Sequence, residues 1–160
     1  MDGLWAPWRM KYITSKKKTK SCLFCRAKKN EKSNYIILKT RYSIAMLNIF
    51  PYNNGHMMIS PLRHVKDITK LKTTEALDLF KTLQATQKLL DKVLKPQGYN
   101  IGINISLAAG AGIPDHLHLH IVPRWNGDTN FMPVLAHTKV LSQSLDELYR
   151  QLKNVQRKSK

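Results

Sequence analysis

Nowhere does this sequence run apolar for the roughly 20 residues needed to cross a bilayer, which excludes a membrane-spanning helix. The start, Met1-Asp2-Gly3-Leu4-Trp5-Ala6-Pro7-Trp8, lacks the charged, apolar and small-residue blocks of a signal peptide, so a cytoplasmic protein is expected. Only two cysteines are present, too few for a disulfide scaffold. In a reducing compartment they are metal ligands or free thiols. Internal repeats are absent, and low complexity is confined to short lysine clusters. Acidic residues are scarce: ten against twenty-seven Lys and Arg, a formal charge of +17. That balance favours polyanions, namely nucleic acid, an anionic membrane or a phosphate-bearing small molecule, though lysines also serve merely as a solvated surface. No compact aromatic-and-basic signature of an RNA-binding module accompanies it.

What is present reads as one domain over 1–160, with 42% hydrophobic residues. An arm and basic loop occupy 1–20, docking through Trp5, Trp8 and Tyr12. A core spans 22–133 and a C-terminal helix 144–155. Strands are expected at Tyr35–Leu38, Tyr42–Leu47 and His56–Ser60, the last stopped by Pro61. Thr73-Thr74 offer a cap to a long helix whose core stripe is Ala76, Leu79, Phe80, Leu83, Leu90 and Leu94, closed by Pro96 and Gly98. Tyr99 to Ser106 alternates as a strand, and another runs from His116 to Val122 and ends at Pro123. Ser144–Val155 forms the final helix through Leu145, Leu148, Leu152 and Val155. Five strands and two main helices without regular βαβ alternation give an α+β domain on an antiparallel sheet.

The chemistry concentrates in His116-Leu117-His118-Leu119-His120. Residues two apart on a strand share a face, about 6.6 Å apart. The three imidazoles then line a wet, reactive face while Leu117, Leu119 and Ile121 anchor the strand in the core. A largely neutral imidazole can attack phosphorus, and a neighbouring one can carry the leaving group's proton. A tri-histidine zinc site is the rival reading, but successive positions on one strand spread their nitrogens, and nucleophilic use is favoured. Beside them, Gly110 and Gly112 let the backbone approach a phosphate, where N–H groups stabilise developing charge; alone they would read as a plain turn.

The run His116 to Val122 resembles the signature of the histidine triad (HIT) family, and Asn48, Asn54-Gly55-His56 and Pro61 resemble its nucleoside-side segment. The likeness spans roughly Cys22 to Pro133. Leu4–Met10 and Pro123–Phe131 are similar to the diadenosine tetraphosphate phosphorylase/hydrolase branch. The resemblance implies a HIT fold whose sheet continues across a homodimer. It also implies that His118 attacks an α-phosphorus to form a covalent nucleotidyl-histidine, which phosphate or water then releases. His120 contacts the phosphates, His56 supports the triad, Asn48 sits near the ribose and Asn104 near the phosphates. The family's frequent Gln and Ser or Thr before the triad are replaced here by Ile113-Pro114-Asp115, which leaves more of the work to backbone donors.

Cys22-Leu23-Phe24-Cys25 has the gap that lets two thiolates reach one tetrahedral ion. Relatives with such a pair complete it from the histidine after the Pro61-type proline and from the first triad histidine. The resemblance therefore implies a structural zinc held by Cys22, Cys25, His64 and His116, which removes His116 as a free base. The expected activity is cleavage of dinucleoside polyphosphates, foremost diadenosine tetraphosphate with phosphate as acceptor. A nucleoside phosphoramidase with the same nucleophile is one alternative. A non-catalytic, zinc-stapled nucleic-acid-binding module is the other, and is not favoured.

Overall fold

A computed structural model describes residues 21–28, 30, 33–131, 135 and 141–158. The expected arm over 1–20, its lysines and Pro133 lie outside the described residues. Five strands form one antiparallel sheet: β1 (Ile36–Lys39), β2 (Ser43–Leu47), β3 (Met57–Pro61), β4 (Gly98–Ile103) and β5 (Leu119–Arg124), in the order β1-β2-β3-β5-β4. The expected α+β architecture is borne out. Alternation along the strands divides two hydrophobic clusters. Ile37, Ala45, Leu47, Ile59, Leu119 and Ile121 pack on the side of the two long helices, α2 (Thr73–Leu94) and α3 (Leu145–Lys158). Ile36, Ile44, Met46 and Met58 face a five-residue helix, α1 (Leu23–Ala27), which buries Phe24 and Ala27 against them. The sequence reading did not foresee α1. β2 and β3 are therefore buried on both faces.

Four local expectations are corrected. Pro123 does not end β5 but pairs with Tyr99 inside it. The Arg124 carbonyl accepts from Gln97 N–H on the β4 side, so residue 123 points the other way, where no ladder bond is lost. Its carbonyl there accepts from the Asn53 amide at 3.1 Å. Phe80 is not core: it is 59% exposed, and Thr82 and Thr86 take up the buried stripe with Leu79, Leu83 and Leu90. Their hydroxyls donate to the carbonyls of Asp78 and Thr82 one turn back, at 2.8 and 2.7 Å, which removes the polar penalty. Thr73 is already helical. The first turn of α2 is capped by Glu75, whose carboxylate accepts from Lys72 N–H at 2.9 Å and pairs with Arg63 at 2.7 Å. Finally, β4 stops at Ile103, and among the described residues no strand lies beside its outer edge. α3 spans Leu145–Lys158 against the expected Ser144–Val155, with the Ser144 hydroxyl accepting from Glu147 N–H and Leu148 and Leu152 buried.

The segment between β2 and β3 is fixed from β5. Asn53 donates to Asp128 at 2.8 Å as well as to Pro123, and Asp128 accepts a two-point ion pair from Arg124 and the N–H of Trp125. Gly55, at φ +77°, closes the turn where a Cβ would meet Leu94 Cδ1 at 2.5 Å and Pro123 Cγ at 3.0 Å. The left-handed φ is what calls for glycine there, with the Pro123 ring leaving little spare room.

Candidate active site and metal centre

The histidine run does not behave as one wet strand face. The regular strand begins only at Leu119, and His116 and His118 are buried, the latter 3% exposed. The cause is α1, which lays Phe24 against both rings, at 5.1 Å from His116 and 5.0 Å from His118.

Hydrogen bonds decide which nitrogen of each imidazole carries a proton. His118 Nδ1 lies 2.8 Å from the His116 carbonyl, which can only accept, so Nδ1–H donates and Nε2 keeps the lone pair. Burial lowers the His118 pKa, opposed by that hydrogen bond, and the ring is neutral near pH 7. His120 is set from the other end. The N–H of Tyr52 donates to His56 Nδ1 at 3.0 Å, so neutral His56 carries its proton on Nε2. That nitrogen lies 2.8 Å from His120 Nδ1, which must accept, leaving the His120 proton on Nε2. Burial first, and then the neighbouring His118, push the His120 pKa down to about 4. His118 and His120 face each other at 4.9 Å between centroids. One presents a lone pair and its neighbour an N–H, a pairing suited to nucleophilic attack with hydrogen-bond donation to developing charge.

The partnership of His56 and His120 follows from the sheet. Met58 registers opposite His120, so His56, two residues back on the same face, is its diagonal neighbour. Asn48 also reaches this pair: its carboxamide oxygen accepts from Phe50 N–H at 2.9 Å and its nitrogen lies 3.3 Å from His56 Nδ1. Tyr52, which the sequence reading did not single out, stacks on His120 at 5.8 Å and 23° while remaining 53% exposed. Its place in the Pro51–Gly55 turn cluster was the only available signal. Asn104 is half-buried just past β4, and Gly110 and Gly112 are exposed in the loop leading to the triad. Gly110, at φ +82°, uses its N–H within the loop, on the carbonyl of Leu107.

Cys22, Cys25, His64 and His116 converge, their ligand atoms all within 4.8 Å of one another. Cys22 Sγ is 3.1 Å from His116 Nδ1, and Cys25 Sγ is 3.4 Å from His64 Nδ1. The His116 Nε2–H donates to the Pro61 carbonyl at 2.9 Å, which leaves Nδ1 as a lone pair aimed at the thiols. Two thiols and two imidazoles, one of them oriented by a backbone carbonyl, fit a closed tetrahedral zinc site.

A family model described as the HIT domain matches residues 29–127. The chain belongs to the HIT family. It is 32% identical over 161 aligned positions to the AP-4-A phosphorylase of Mycobacterium tuberculosis strain H37Rv, covering 95% of this chain and 83% of that protein. It is 34% identical over 93 positions to an asymmetrical bis(5'-nucleosyl)-tetraphosphatase of Schizosaccharomyces pombe, 58% of this chain and 50% of that protein. Among solved structures, a Zn-bound HIT family protein from Mycobacterium smegmatis superposes with a TM-score of 0.71 at 26% identity, over 88% of this chain and 96% of that one.

Proposed function

We propose that this HIT protein cleaves dinucleoside polyphosphates, foremost diadenosine tetraphosphate, by nucleotidyl transfer through His118 with phosphate as the acceptor. The observation that carries the reading is the opposed protonation of two adjacent imidazoles, His118 with a free Nε2 and His120 with an Nε2–H. His118 Nε2 attacks the α-phosphorus, and the bond from that phosphorus to the bridging oxygen breaks. The departing oxygen, that of ATP when the substrate is diadenosine tetraphosphate, leaves with the electron pair of that bond and accepts a hydrogen bond from His120 Nε2–H. Monohydrogen phosphate then attacks the nucleotidyl-histidine, its proton leaves to solvent, and the N–P bond breaks with its electron pair returning to His118 Nε2, releasing ADP. His56 steadies His120 throughout. Asn48 on the ribose, and Asn104 with the Gly110–Gly112 loop on the phosphates, complete the substrate contacts of this reading.

Zinc at Cys22, Cys25, His64 and His116 supplies a structural staple. Available thiols at those ligands suit a reducing, cytoplasmic setting. The outer edge of β4, unpaired among the described residues and with Ile101 47% exposed, supports a homodimer in which the sheet continues into a second copy. The test mixes the protein with diadenosine tetraphosphate, with and without phosphate, and separates the products. ATP plus ADP, formed only when phosphate is present, meets the expectation, and ATP plus AMP shows water as acceptor. His118→Ala is the control. Turnover above about a tenth of wild type in that variant overturns the covalent role, since loss of a nucleophile costs far more.

A further inference from the structure

The ring between the two metal cysteines is also the back wall of the reacting imidazole. Phe24 is 1% exposed and touches His118 at 5.0 Å, inclined at 39°, as well as His116 at 5.1 Å. It sits in the five-residue helix α1, with Cys22 at the N-cap and Cys25 the residue after Phe24 within the helix. A helix that short has no stability of its own and is placed by what its side chains touch. The cysteines converge with His64 and His116 on one side of it, and Phe24 and Ala27 fill the sheet face on the other. Among the described residues the His118 ring makes one hydrogen bond, the neutral Nδ1–H to the His116 carbonyl. One such bond leaves the ring room to flip about its terminal torsion, where rotamer wells are broad, and a flip would exchange a carbon for the donating nitrogen. A flat aromatic face packed against the imidazole closes that room.

We infer that Phe24 is a positioning residue for the nucleophile: from within the metal-binding helix, its ring holds His118 in the orientation that keeps the Nε2 lone pair facing the substrate. The inference rests on the reading of His118 as nucleophile, and it adds a second task to the Cys22–Cys25 segment. The staple that secures α1 thereby secures the reacting nitrogen. His116 serves the same end twice, since its side chain belongs to the metal cluster and its carbonyl orients His118.

The experiment uses the full chain, zinc-loaded, as wild type and as Phe24→Leu, which keeps an apolar filler but removes the flat wall. Zinc per chain, melting temperature, kcat and KM for diadenosine tetraphosphate, and the ¹⁵N signals of the His118 ring are measured together. The expected result is unchanged zinc, KM within about twofold, and kcat lower by roughly tenfold to a hundredfold, the scale on which misplacing a reacting group is felt. The His118 ring signals should broaden or average between nitrogens while those of His120 stay put. A His118 ring that keeps one sharp Nδ1–H pattern in the variant overturns the inference, whatever happens to kcat. So does a kcat loss that merely follows zinc loss. Should the leucine variant lose zinc or unfold, Phe24→Met, with a longer apolar chain, is measured in the same way and judged by the same signals. His118→Ala is run alongside. Turnover surviving there defeats the nucleophile reading, whereas the ring signals of the Phe24 variants decide the positioning role by themselves.

Discussion

His56 and His120 are joined ring to ring, Nε2 to Nδ1 at 2.8 Å, and the N–H of Tyr52 on the far side of His56 sets which of the two donates. The His120 proton is thereby kept on Nε2 by a relay that begins at a backbone amide. Replacing His56 by Ala frees the His120 ring without touching His118. The expected outcome is a kcat for diadenosine tetraphosphate lower by about tenfold or more, because a hydrogen bond aimed at the charge developing on the leaving oxygen is worth at least that. A substrate whose leaving group develops little negative charge should lose much less. Equal losses for both substrates would count against His120 as the donor.

Burial of His120 makes stability depend on pH. An unfolded histidine takes up its proton near pH 6.5, whereas folded His120 resists until about 4. Between those values the unfolded chain binds more protons. The stabilising contribution is therefore complete above about 6.5 and is lost as pH falls towards 4. Thermal melts between pH 5 and 7.5 should show the decline, and His120→Gln should make it shallower, since buried His116, also pushed down to about 4, and His118 carry the rest. A variant as steep as wild type would place the titrating group elsewhere.

The cysteine pair predicts about one zinc per purified chain. Cys22→Ser with Cys25→Ser should lose the metal and melt lower, since structural zinc sites supply on the order of 10 kcal/mol of binding energy to folding. Elemental analysis of protein prepared without chelator decides it, and a metal-free, fully stable wild type would end the zinc reading.

A charge of +17 should draw in a polyphosphate from a distance. Salt screens exposed charges over about 10 Å at 0.1 M, so kcat/KM should fall as salt rises while kcat stays nearly flat. A variant with Lys16, Lys17, Lys18 and Lys20 changed to Ser should show a shallower slope. If kcat/KM is indifferent to salt in both proteins, the lysines are a solvated surface only.

The sheet was legible because β1, β2 and β3 are short apolar runs bounded by turn residues, while the β4 segment alternates apolar with polar residues. The metal cluster was legible through resemblance to relatives, and the four chosen residues do meet. Exposure of the triad was misjudged because what covers His118 is Phe24, nearly a hundred positions earlier and in a helix too short to leave a periodic signal. The core stripe of α2 was misread at Phe80 because pattern rules count threonine as polar. Here each hydroxyl bonds one turn back and the side chain is buried. The tautomers of the three reactive rings were beyond any sequence reading, since the Tyr52 amide and the His116 carbonyl belong to every residue type alike.

The absence of a side chain at Gly55 has a bearing on where mutations will matter. Its α-carbon leaves only enough room for the tip of Leu94, in the last turn of α2, and for the ring of Pro123. His56 follows immediately in the chain, so the tolerance of the reactive centre to change extends to the far end of the longest helix. Enlarging Leu94 to Phe would press on the turn that delivers His56. Damage of that kind would arrive as slow turnover in a well-folded protein, and a survey of inactivating substitutions should find a cluster at residues 90 and 94 that touches no substrate.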